Sequence, residues 1–389
     1  MINKVYLITP YGSQYGALHH FTQKLYEAWV RAGFNAFYFT DADAALDAAL
    51  RDPPDLMIGF NGVPSKDTKL YCDIIKRPYL TLLVDPFYRF LDLISSPYLI
   101  IGCDDFSSTT ALKNMNVKNV IFVPHAVEAD LVPDTASKKI YDVTMLATFI
   151  DHEACRESWK SKYPELVCKA MDEIIERTFF NPELSFTDAV MNVMRQTYQK
   201  HPELNSLKVD ATSIFIDIEI FIKGKERVDM LRAIQSTPVH VFGHTADEMD
   251  WKTYFKDQSN IIVHDAVSYE ESLNIMKQSK IILNSSIKNK FGAHERIFSG
   301  LAAGALVFTN ENPYLKKFFM HDFDIVFYQS KKLNQIDSMI CTYLANEEKR
   351  QQIVENGREV VMSFHTWDAR IRTFKEELFP LVEKIQEKA

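Results

Sequence analysis

The amino-acid sequence predicts an α/β protein of two doubly wound, Rossmann-like domains in tandem, and three observations carry that expectation. Its 389 residues exceed the ~100–200 of an ordinary domain. Short apolar runs of strand length recur between stretches of helical spacing, and strands alternating with helices imply parallel pairing through right-handed crossovers. The series breaks at a polar, proline-containing stretch, Pro133–Lys139, which reads as a linker. The expected domains are 1–138 and 139–365, with a tail over 366–389 crossing back to the first.

In the first domain Val5–Thr9, Ala36–Thr40, Leu56–Phe60, Tyr79–Val84, Tyr98–Ile101 and Val120–Val123 read as strands, and Leu18–Ala32 as a helix ended near Gly33. The second domain opens at Asp142–Leu146 and continues with Val239–Gly243, Ile261–Val263, Ile281–Leu283, Leu306–Thr309 and Ile325–Tyr328. Residues 151–235 are too many for one crossover helix. Helical spacing in Cys168–Phe179 and Phe186–Tyr198 marks them as a helical insertion, which could recognise an acceptor or support an oligomer. Within it, Ile214, Ile216, Ile218 and Ile220 alternate like a strand, whereas Phe215, Ile218 and Ile222 share a helical face. One long helix over Ser213–Gln235 is the expectation, because β-branching costs a helix only tenths of a kcal/mol per residue. The tail carries Ile371, Phe374, Leu378 and Val382 on one side and needs a partner surface. Thr366 suits its N-cap, and Pro380 should kink or split it.

Composition removes several function classes. With 44 Lys+Arg against 52 Asp+Glu, the net charge of −8 gives no general electrostatic reason to bind a nucleic acid or an anionic bilayer. Cys72, Cys103, Cys155, Cys168 and Cys341 are scattered without CxxC spacing, which argues against a disulfide framework or a zinc site. No run approaches the ~20 apolar residues of a transmembrane helix, and Met1–Ile8 enters a strand without the basic lead-in of a signal peptide. A cytoplasmic location, at most peripheral to a membrane, is expected.

The most informative stretch is Ser279–Pro313, SKIILNSSIKNKFGAHERIFSGLAAGALVFTNENP. A buried strand ends in Asn284-Ser285-Ser286, and a loop with Gly292 leads to a helix beginning near His294. Unpaired N–H groups and the dipole at such a helix start favour an anion of the phosphate kind, and His294 and Arg296 add donors there. Taken alone, the pattern also fits surface ion pairs and close packing.

The pattern resembles GT-B glycosyltransferases, and most of all the glycosyltransferase family 1-like C-terminal domain of spore-maturation CgeB-type proteins. The resemblance rests on Tyr141-Asp142-Val143, on Phe242-Gly243-His244, on Val267-Ser268-Tyr269-Glu270 through Ser279–Asn284, and on Arg296-Ile297-Phe298-Ser299-Gly300-Leu301-Ala302-Ala303-Gly304-Ala305. It covers Asp142–Asp151 and Ser236 to about Trp367. It implies a cytoplasmic enzyme moving a sugar from a nucleotide donor, UDP-, GDP- or another, to a glycan, lipid-linked or protein hydroxyl. Further, it implies Gly243 and His244 near the base or phosphates, Val267, Ser268 and Tyr269 near the base, and Asn284, Ser285, Ser286, His294, Glu295 and Arg296 near the phosphates. Ser299 departs from the pattern, standing where the family carries the carboxylate that holds the ribose. Either Glu295 supplies that carboxylate from one turn earlier or the nucleotide is held differently.

No paired-carboxylate motif is evident, so transfer without a metal, and without a cofactor beyond the donor, is expected. The sequence does not decide between retention and inversion; if the enzyme inverts, a catalytic base should come from the first domain, at the carboxyl ends of its strands. Asp85 and His19 stand first, with His125 and Asp104 behind them. The loop with Tyr11, Gly12, Gln14, Tyr15 and Gly16 is the acceptor-side candidate, since glycine lets backbone approach a ligand. Each base candidate has an ordinary reading too, as a cap, a turn former or a buried hydrogen-bond partner. Two alternatives stay open: a GT-B-like nucleotide-sugar epimerase, and a binding protein that has lost turnover, for which Ser299 speaks.

Overall fold

The structure is a computed structural model, and it describes residues 2–134, 136, 138–207, 209–245 and 249–387. Parts of the expected linker (135 and 137), insertion (208) and tail (388 and 389) lie outside the described residues. The chain forms two compact units. One comprises residues up to Leu131 with Ser268–Glu270 and the segment from Val361 on; the other comprises Val132–Val267 and Glu271–Val360.

The first unit holds strands β1 (Lys4–Ile8), β2 (Asn35–Phe39), β3 (Leu56–Phe60), a small antiparallel hairpin β4 (Ser65–Lys66) and β5 (Lys69–Leu70), then β6 (Tyr79–Leu83), β7 (Leu99–Cys103) and β8 (Val120–Phe122). Its parallel sheet runs β2-β1-β3-β6-β7-β8. The strands β3, β6 and β7 are buried along their full lengths, which explains why they read as continuous apolar runs rather than alternating ones. The tail splits, as Pro380 requires, into helices Trp367–Glu377 and Phe379–Gln386. Thr366 caps the first by accepting the Ala369 amide at 3.2 Å. The tail's apolar side covers this unit: Phe374 and Phe379 both stack on Trp29. Arg370 donates to the carbonyls of Pro124 and His125 at 2.8 and 2.6 Å.

The second unit holds β9 (Tyr141–Leu146), β10 (Val239–His244), β11 (Ile261–Asp265), β12 (Ser279–Leu283), β13 (Leu306–Asn310) and β14 (Val326–Tyr328) in a parallel sheet ordered β11-β10-β9-β12-β13-β14. Between β9 and β10 lie helices His152–Lys162, Glu165–Phe180, Phe186–Lys200 and Ala211–Ala233. The ambiguous isoleucine-rich stretch is one helix of 23 residues, its N-cap Asp210 accepting from the Thr212 and Ser213 amides. Gly224 sits inside that helix because a Cβ there would stand 2.7 Å from the Ile150 carbonyl, so glycine lets the helix press on the loop after β9. Among the described residues, no helix is long and apolar enough to cross a membrane.

Candidate functional site

In the second sheet the connections reverse direction between β9 and β12. Open α/β sheets bind ligands outside the carboxyl ends of their strands at such a switch point. There the loop after β9 (Ala147–Asp151) and the segment Asn284–His294 after β12 stand side by side. The helix Glu295–Ala302 begins at the end of that segment.

Asn284 is fully buried and organises this end of the sheet. Its amide nitrogen donates to the Ser286 and Thr309 hydroxyls, both at 3.0 Å, and its side-chain oxygen accepts from Arg296 Nη1 at 3.4 Å. Every atom of that side chain is committed, so its role is to hold Arg296 and Ser286 in place. His294 caps the helix: Nδ1 lies 3.3 Å from the Arg296 amide and 2.6 Å from a Glu295 carboxylate oxygen. A bare Nδ1 accepts from the amide; a protonated one donates to Glu295. Burial lowers the His294 pKa, which favours the neutral ring.

Sequence reasoning missed Arg227. This residue follows Gly224 by one helical turn, and the close approach that glycine permits brings its guanidinium to the Thr148 carbonyl, 2.6 Å from Nη1. Burial, then the neighbouring Arg296 charge, pushes the Arg227 pKa down to about 10. Its buried Nε has no hydrogen-bond partner. Two like charges side by side, one with an unsatisfied buried donor, are what an anion would relieve. Only the glycine inside a helical pattern could have signalled this in the sequence.

Gly243 faces the same loop, and a Cβ there would collide with the Ala147 carbonyl. That carbonyl accepts from Trp251 Nε1 at 2.7 Å. His244 next to it pairs with Asp250. Although burial opposes it, hydrogen bonds from Thr253 and the His244 charge hold the Asp250 carboxyl below its ordinary value.

The structure therefore brings Asn284, Ser286, His294, Glu295 and Arg296 together with Arg227, and sets Gly243, at the end of β10, against the loop after β9. Ser285 and Val267 are half-buried, and Ser268 is exposed. Ser268 and Tyr269 group with the first unit, where the Tyr269 ring lies 4.9 Å from His20 and 5.1 Å from Phe21. Ser299 is 0% exposed inside the helix, whereas Glu295 is partly exposed.

In the first unit the switch point lies between β1 and β3. The loop after β1 carries two successive left-handed residues, Tyr15 and Gly16, just before the helix Ala17–Arg31. Tyr11 is wholly exposed, and Gly12, Gln14 and Tyr15 are exposed too. The loop after β3 supplies Asn61, whose side-chain oxygen accepts from the Val84 and Asp85 amides and whose nitrogen donates to the Asp85 carboxylate at 2.8 Å. Asp85 is thus exposed yet held in a fixed orientation. His19 is exposed, with Nε2 at 3.1 Å from the Pro10 carbonyl. His125 is buried, its Nε2 at 3.7 Å from the Asp104 carboxylate.

Residues 226–376 match the family model described as glycosyl transferase-like. No curated protein matches the sequence. Among solved structures, sucrose-phosphate synthase from Thermosynechococcus elongatus is similar over 97% of this chain and 99% of that one, with 9% identity and a TM-score of 0.56. An alpha-glucosyltransferase in complex with UDP and a 13-mer DNA containing a HMU base is similar over 98% and 100%, with 11% identity and a TM-score of 0.56. Anabaena HepE in complex with UDP is similar over 97% and 99%, with 8% identity and a TM-score of 0.51. The fold is accordingly GT-B: two Rossmann-like units, each with a parallel six-stranded sheet.

Proposed function

We propose that this chain is a nucleotide-sugar-dependent glycosyltransferase. It would hold the donor diphosphate at the β9/β12 switch point of its second unit and transfer the sugar to an acceptor hydroxyl served by the first. The observation that carries this is the pair of guanidiniums, Arg227 and Arg296, beside a helix start capped by His294. As the bond from sugar to phosphate breaks, negative charge grows on the departing diphosphate, and prepositioned cations and amides stabilise it. The glycosyl transferase-like match, which begins at Glu226, supports the reading. Two similar structures are complexes with UDP, which makes a UDP-sugar the first donor to test.

With two guanidiniums to balance the leaving charge, transfer proceeds in our reading without a divalent ion; activity that chelator abolished and Mg²⁺ restored would oppose this. For the base, Asp85 is accessible and oriented by Asn61, His125 has Asp104 to hold its ring, and His19 stands in the first turn of the helix Ala17–Arg31, against the Pro10 carbonyl of the loop after β1. Loss of turnover is the second reading, favoured by the buried Ser299 where an acidic residue is usual.

The deciding experiment is a melting-temperature screen with UDP, GDP and their sugars, followed by an assay of nucleotide release. A ligand at about 100 times its Kd stabilises the folded state by ~2.7 kcal/mol. A UDP shift with release of UDP from a UDP-sugar supports the enzyme; a shift without release under any acceptor supports the binding protein. No shift with any nucleotide overturns both.

A further inference from the structure

Beside the nucleotide cluster, and sharing Ser286 with it, a cavity of about 180 Å³ opens at the carboxyl ends of β12, β13 and β14, walled on its other side by the end of the helix Glu165–Phe180. At roughly 15 Å³ per water-sized group, it has room for about a dozen such groups, the size of one sugar ring with its substituents. Ser286, Asn310, Tyr328 and Ser330 line the sheet side, and Phe179 and Phe180 the helix side.

The wall is built. Lys290, only 3% exposed, donates to the carbonyls of Thr178, Asn181 and Leu184 at 2.7, 2.6 and 2.9 Å. An ammonium has three donors, and all three are used, so the lysine fixes the helix end over the sheet rather than waiting for a ligand. Within the cavity the amides of Asn284 and Asn310 donate to the Ser286 and Ser330 hydroxyl oxygens, at 3.0 and 3.3 Å. Each serine then has one proton left for an acceptor elsewhere. The Tyr328 hydroxyl is committed to the Asn284 carbonyl and the Asn310 side chain, at 3.0 and 3.1 Å, which leaves its ring as an apolar surface. Lys331 stands at the rim, 5.5 Å from the centre of the Phe180 ring.

Oriented hydroxyl donors beside aromatic carbon suit a ligand with oxygens on its edge and C–H groups on its faces. Lys290 is spent on carbonyls and the Glu311 carboxylate is paired with Lys316 at 2.8 Å, so the charge left at the rim is that of Lys331, which a hexuronate would meet and a neutral sugar would not need. An alkyl chain would leave the serine protons unpaired. We propose that this cavity binds one sugar ring of a carbohydrate, separately from the nucleotide. In the transferase reading that ring belongs to a glycan acceptor; this corollary rests on the proposed function, whereas the binding does not.

The test is saturation-transfer NMR and calorimetry on the full chain with a neutral hexose, an N-acetylhexosamine and a hexuronate, each with and without saturating UDP. For a dozen heavy atoms at about 0.3 kcal/mol each, a Kd on the order of millimolar is expected. Binding should persist with UDP present and in Arg296→Ala. It should weaken at least tenfold in Ser330→Trp, which fills the cavity, and measurably in the milder Ser330→Ala, both with unchanged circular dichroism. No saccharide binding by the wild type overturns the proposal. So does binding that UDP displaces or that Arg296→Ala abolishes, since the cavity would then only hold the donor's own sugar. Saccharide binding without UDP binding would sink the transferase reading and leave this one standing.

Discussion

Glu226 offers a quantitative test of the second unit. Its carboxyl is 4% exposed and accepts from the Ile287 amide at 3.2 Å on both oxygens. Burial raises its pKa from 4.5 to about 7, against the Ile287 and Asn310 hydrogen bonds that favour the anion. Between those two values the folded chain keeps a proton that the unfolded chain has lost. Stability therefore falls as pH rises through that window, and above about pH 7 the deficit is full. At 1.36 kcal/mol per unit, it amounts to roughly 3 kcal/mol. Glu226→Gln keeps an acceptor for the Ile287 amide but cannot ionise. Near pH 4.5 the two proteins should melt within a degree or two of each other. At pH 8 the variant should melt several degrees higher, at ~2–4 °C per kcal/mol for a domain of this size. Differential scanning calorimetry at both pH values reads the difference directly. A gap between variant and wild type that stays constant from pH 4.5 to pH 8 would refute the buried-acid argument.

Four further outcomes follow, three from the site and one from the tail. Arg296→Ala and Arg227→Ala each remove a charged donor worth about 1.5–3 kcal/mol, so UDP affinity by calorimetry should fall roughly 10–150-fold in each, with Arg296→Lys intermediate; unchanged affinity would dismiss that arginine. Gly243→Ala places a methyl group on the Ala147 carbonyl; it should lower the melting temperature and weaken UDP binding, and wild-type values for both would show that the loop yields. Among Asp85→Asn, His19→Ala and His125→Ala, the one that removes the base should cut transfer ~100–10,000-fold while sparing UDP affinity. Arg31→Met, which breaks the two-pronged contact with Asp368 at 2.8 and 2.7 Å, should cost no more than ~1 kcal/mol because both groups are partly exposed.

The strands were legible because a parallel sheet covered on both faces demands runs of buried apolar residues; β3 is read to the residue and the other ends shift by one or two. The hairpin of β4 and β5 is too short to leave a periodic trace. The helix His152–Lys162 buries only His152 and Trp159, so it offers no apolar stripe to read. At the candidate site, the helix start was legible as strand, loop, histidine and arginine in order. Arg227 was not, since its place depends on a helix packing against a loop 79 residues away in sequence. Nor could the sequence tell that Ser299 is sealed inside its helix, or that Ser268 and Tyr269 group with the first unit.

The first unit is assembled from separated chain segments, and this has a consequence for biosynthesis. Trp29 and Phe34 are covered by Phe374 and Phe379, and Val127 bridges to Thr366. About 230 residues separate Leu131 from the Val361 segment. At ~5–20 residues per second, a ribosome needs roughly 10–45 s to supply them. Through that interval the nascent first unit waits with the aromatic surface of Trp29 and Phe34 open to water, and a chain halted before Val361 would never close it.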